Sequence, residues 1–171
     1  MLEELLRASP ETIETICSSD NRFRKICSEN SFWMRKLKHQ NLPVLENGFN
    51  FSSWFRIYTN SVQAAQKANR IYRKHYATYA IVDIQPYISR FEQYLLPPQG
   101  SRQTFQYFID KSRESKVQLV ISRSFGLWKT PITYNLILYD KSKITEKVTY
   151  FIPSYVLWGL LYRIYYFNLI N

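Results

Sequence analysis

SPETIETICSSDNRFRKICSENSFWMRKL, residues Ser9 to Leu37, carries three short apolar patterns in succession. Ser9-Pro10-Glu11 supplies a hydroxyl able to cap a helix, a proline suited to the first helical position and an acid in the first turn, which together mark a helix start. Ile13, Ile16 and Cys17 follow at helical spacing, and Phe23, Ile26 and Cys27 repeat that spacing one helix later. Ser31 reads as the cap of a third piece carrying Phe32, Trp33 and Leu37. Upstream, Leu2, Leu5 and Leu6 give a further short helix an apolar face that ends near Ala8. Helices this short bury little singly, so residues 1–50 are expected to pack as one helical module.

Working outward, Asn41 to Asn50 holds Pro43, Gly48 and three asparagines, the composition of a connector. Trp54, Tyr58, Val62, Ala65, Ala68 and Tyr72 then recur at steps of three and four, predicting a long helix from Ser52 or Ser53 to about Tyr76. Beyond it, Tyr79 to Ile84 is strand-like. Short helices are expected from Pro86, with Ile88, Phe91 and Leu95 inward, and over Gln103 to Arg113, separated by the break Leu96 to Ser101. Lys116 to Ser122, Thr130 to Tyr139 and Ile144 to Ile152 are rich in β-branched and aromatic residues, the composition of strands, with Asp140 to Lys143 as a hairpin turn. Pro153 ends the last strand and Ser154 opens a final helix. The expected fold class is α+β: a helical N-terminal module, a long basic helix, and a C-terminal antiparallel sheet packed by helices. The domain reading is 1–50 for the module and 51–171 for a basic α+β domain.

The charge is distributed unevenly. Residues 1–50 balance 7 Lys/Arg against 7 Asp/Glu, so residues 51–171 carry the whole net charge of +10. That asymmetry suits a polyanionic partner, and equally a basic surface that only aids solubility. Cys17 and Cys27 are the only cysteines. Each lies among apolar neighbours, and no apolar leader opens the chain, so both read as unpaired core thiols in a reducing, intracellular setting, cytoplasm or nucleus. Tyr150 to Ile170 approaches the length of a membrane span, but Pro153, Ser154, Arg163 and Asn168 interrupt it, so membrane insertion is not expected.

Catalysis finds little to work with. The two histidines, His39 and His75, stand on what read as exposed helix positions flanked by charge, and the acids of residues 51–171 are spread singly. Neither a cofactor nor a metal site is expected, because no paired Cys or His spacing occurs. The expectation is therefore a protein that is not an enzyme.

Binding has two candidate surfaces. On the long helix, Arg56, Lys67, Arg70, Arg73 and Lys74 lie near Tyr72 and Tyr76, and no acid occurs between Glu46 and Asp83. Cations beside aromatic rings suit DNA or RNA, through phosphate contacts and base stacking. A merely solvated face has a similar look but usually mixes signs.

The second surface rests on a resemblance. The run Ser9 to Cys17, then Phe23, Ile26-Cys27, Phe32-Trp33 and Leu37, resembles an F-box, in the compressed form found at the N-termini of proteins from large DNA viruses. Trp54 to Tyr58 resembles the aromatic element that often follows there. Ser9-Pro10 stands where an F-box usually has Leu-Pro, and the gap before the Cys element is short. The resemblance implies a Skp-type adaptor as protein partner, docked around Leu5, Leu6, Pro10, Ile13 and Ile16, with the C-terminal part choosing the recruited target.

Overall fold

The computed structural model describes residues 2–72, 80–83, 117–123, 133–140 and 143–170, with side chains described for 2–72 and 157–170. The chain divides into two compact units, one running to Gln66 and the other from Lys67 to Leu169.

The first unit holds α1 (Leu2–Arg7), α2 (Pro10–Ser19), α3 (Asn21–Cys27), α4 (Asn30–His39) and most of α5 (Phe51–Tyr72). Local chemistry sets most of these boundaries. Ser9 caps α2, its hydroxyl accepting from the Thr12 amide at 3.3 Å, with Pro10 in the first turn. Asp20 ends α2 and caps α3, accepting from the Arg22 amide at 2.7 Å. Ser31 does not cap α4: the helix has already begun at Asn30, and the preceding Glu29 makes no side-chain cap bond. At α5 the Asn50 side chain accepts from the Ser53 amide at 2.8 Å, while the Ser53 hydroxyl accepts from the Phe49 and Asn50 amides. This reciprocal cap starts the helix at Phe51, slightly ahead of the expected Ser52 or Ser53.

The unit's core is Leu5, Ile13, Cys17, Cys27, Phe32, Trp33, Leu37, Trp54, Ile57 and Tyr58, all nearly inaccessible to solvent. Trp33 lies at its centre. Its ring centroid is 5.1 Å from Phe32, 5.9 Å from Tyr58 and 6.1 Å from Phe51. Its indole N–H donates to the Cys27 carbonyl at 2.7 Å, so burial leaves no orphaned donor. The Trp54 indole N–H is likewise satisfied by the Asn30 side chain at 2.7 Å.

The cysteines correct a sequence expectation. Cys17 and Cys27 form a disulfide, their Cα atoms 6.0 Å apart. Capped by Asp20, α3 turns back beside α2 and brings two cysteines ten positions apart face to face. They are buried as expected, but paired.

In the second unit the backbone of β1 (Ala80–Asp83), β2 (Val117–Arg123), β3 (Thr133–Asp140) and β4 (Lys143–Pro153) forms a sheet in the order β1-β2-β3-β4, every neighbouring pair antiparallel. The register places Leu119 opposite Val82 and Leu138, and Leu136 opposite Tyr150. Helix α6 (Ser154–Asn168) follows Pro153 directly. Leu157, Leu161, Tyr162, Ile164 and Tyr166 are buried along it, and the Trp158 indole N–H donates to the Asn69 side chain near the end of α5 at 2.9 Å. The helices expected from Pro86 and over Gln103 to Arg113 lie outside the described residues, as does the long helix beyond Tyr72.

The expected α+β class is corrected by where the core lies. Of the residues whose side chains are described, 79% are helical and none is in a strand, which makes the described packing all-helical. Every buried side chain that is described stands on a helix or on the loops beside one. The alternation of β-branched residues in the sequence identifies extended backbone, but it does not identify what seals a core; in the first unit aromatic residues spaced along α4 and α5 do so.

Candidate protein-interaction site

Helices α1 and α2 carry the five residues that the F-box resemblance nominates, and the structure separates them. Leu5 is 1% exposed and Ile13 is fully buried, so both belong to the core of the unit. Leu6, Pro10 and Ile16 are half-buried, and Leu2 is exposed on the same short helix as Leu6. The accessible apolar set on these two helices is therefore Leu2, Leu6, Pro10 and Ile16.

The end of α1 is held by Lys36. Lys36 on α4 is fully buried. Its ammonium donates to the carbonyl oxygens of Leu5 at 2.8 Å, Leu6 at 3.0 Å and Ala8 at 2.7 Å. These are carbonyls at the end of α1, where no following turn supplies donors and where the helix dipole favours a cation. The same ammonium lies 4.8 Å from the centroid of the Tyr58 ring. The Tyr58 hydroxyl donates to the Ala8 carbonyl at 3.3 Å and accepts from the Gln40 side chain at 3.0 Å. Burial lowers the Lys36 pKa to about 8 and raises that of Tyr58. A charged side chain thus staples α1 to α4 and α5, and α1 cannot shift without leaving that charge unpaired.

A second accessible region lies at the far end of α4. Asn41 adopts φ 55°, the left-handed conformation that asparagine tolerates better than most residues. The Asn41 amide donates to the Lys38 carbonyl at 3.0 Å and the Leu42 amide to the Leu37 carbonyl at 2.9 Å, the paired bonds of a Schellman stop. The chain reverses there, and Leu42, Pro43 and Val44 form a cleft with Met34, Arg35 and Lys38.

The nucleic-acid candidates are only partly brought together. Arg56 is 53% exposed, with Glu46 of the preceding loop 3.7 Å away, so an acid approaches this face from outside the helix. Lys67 and Arg70 are exposed near the end of α5. Arg73 and Lys74 lie outside the described residues. His39 is exposed, and among the described residues no group of three His, Cys, Asp or Glu side chains is placed to hold a metal ion. Among them, too, no helix is long and apolar enough to cross a membrane.

Compared with known proteins, the chain matches no family model, no curated protein and no solved structure.

Proposed function

We propose that the chain is a non-enzymatic interaction protein, an F-box-like adaptor that recruits a macromolecular partner through its C-terminal part. One observation supports this most. Leu2, Leu6, Pro10 and Ile16 stay accessible on α1 and α2 although the unit beneath them already has a closed core. Apolar residues left open on a rigid support are what a helical adaptor partner would cover. Leu5 and Ile13 serve the reading indirectly, by holding the two helices in place. The proposed setting is intracellular; in a reducing compartment the Cys17–Cys27 pair would open to two buried thiols. Co-purification of the chain with a purified Skp-type adaptor tests the reading, and loss of that complex on replacing Leu6 and Ile16 by serine is the expected outcome.

A nucleic-acid-binding role is the second reading. It is favoured by the exposure of Lys67 and Arg70 on a helix, Phe51 to Tyr72, that contains no acid. Phosphate contacts would make such binding fall steeply between about 50 and 200 mM salt, which adaptor docking through apolar residues would not do.

A further inference from the structure

The cleft beyond the C-terminus of α4 belongs to neither reading. It has a volume of about 520 Å³, within the range of pockets that take small ligands or a few side chains. Its apolar lining comes from Met34, Leu42, Pro43 and Val44, and Arg35 and Lys38, one turn apart on α4, line it as well. No acidic side chain lines it, and α4 itself contains none. Met34 is 44% exposed, an adaptable apolar surface open to solvent. The cleft is built rather than incidental: the left-handed Asn41 and its two backbone bonds return Leu42 to Val44 alongside α4.

We infer that this cleft takes an extended segment of a partner protein in which an acidic side chain neighbours an aliphatic one. Charge complementarity selects the acid, because two cations one turn apart meet no acid within the cleft. The apolar lining selects the aliphatic neighbour, whose burial supplies affinity that a surface ion pair alone would not. Nucleic acid is the poorer occupant, since the cleft presents no aromatic ring on which a base could stack. A second copy of this chain is poorer still: a two-fold contact through this patch would set the same two cations against each other. The inference is independent of the α1–α2 reading, which uses other residues.

The test pans a phage-displayed library of short random peptides against the full chain and against Arg35→Glu/Lys38→Glu. Both positions are exposed, so the variant should keep the helical circular dichroism of the parent; Arg35→Gln/Lys38→Gln provides a milder second variant. The expected result is enrichment of peptides pairing Asp or Glu with Leu, Ile or Val. Their affinity should drop at least about tenfold in either variant, a loss of about 1.4 kcal/mol. Lack of enrichment, or enrichment that both folded variants retain, overturns the inference. So does sedimentation showing a dimer that the charge reversal dissolves, or duplex DNA binding lost in the variants without any peptide selection.

Discussion

The ammonium of Lys36 lies 2.7 Å from the carbonyl oxygen of Ala8, 28 residues earlier in the chain. With the bonds to Leu5 and Leu6 it closes the end of α1 from inside the core. Replacing Lys36 by methionine keeps much of the volume and removes the ammonium from the Leu5 and Leu6 carbonyls, while the Ala8 carbonyl keeps only the Tyr58 hydroxyl. The expected loss of stability is about 3 kcal/mol, read from the denaturant midpoint, with α1 fraying first in hydrogen exchange. A midpoint unchanged from the parent would mean that water replaces the lysine at no cost.

The same lysine gives the stability a pH dependence of definite sign. Its folded pKa is about 8, below the ordinary 10.5. Between those values the unfolded chain holds a proton that the folded chain has released, so stability rises as pH rises through that window. From pH 10.0 upward, Tyr58 and Tyr165 act oppositely: burial raises both pKa values, so the unfolded chain ionises first and stability falls. Thermal melts across pH 7 to 11 should therefore show a shallow maximum near 10, and Lys36→Met should lose the rising limb.

Gly48 packs against a ring. A Cβ built on it would lie 2.5 Å from Cγ of Trp54 and 2.6 Å from its Cδ2, and Trp54 is only 1% exposed. Gly48→Ala must displace the indole, at a cost of about 1–3 kcal/mol. Tryptophan emission should shift to longer wavelength as the bond from Trp54 to Asn30 loosens. An alanine variant as stable as the parent would show that the connector moves aside freely.

How much of this was legible differs by residue. The start of α2 was, because Ser9, Pro10 and Glu11 act within one turn. The core positions Ile13, Cys17, Phe32, Trp33 and Leu37 were, because periodicity reports one buried face. Ile16 shares the spacing of Ile13 and Cys17 but is only half-buried, since spacing alone does not say how wide the buried stripe is. Lys36 was illegible: its side chain reads as solvated, and the carbonyls that hold it come from a distant helix end. The pairing of Cys17 with Cys27 depends on the angle at Asp20, and the cleft depends on one left-handed residue, Asn41. Both are turn geometries that composition leaves open.

The disulfide closes a loop between cysteines ten positions apart. Opening it should lower stability by about 2–3 kcal/mol, chiefly through the greater freedom of the unfolded chain. Under oxidising conditions the denatured protein should show no titratable thiol, and after reduction it should show two. Two reactive thiols in the denatured, unreduced chain would contradict the pairing.

Docking of an adaptor on α1 and α2 is tested most directly by calorimetric titration of the full chain with a purified Skp-type adaptor at about 50 and 200 mM salt. Saturable binding is expected, with an affinity that changes little between the two salts. It should be weakened at least about tenfold by Leu6→Ser/Ile16→Ser and left intact by Lys67→Glu/Arg70→Glu. No heat of binding at either salt, or binding that the folded Leu6→Ser/Ile16→Ser variant retains in full, would contradict it.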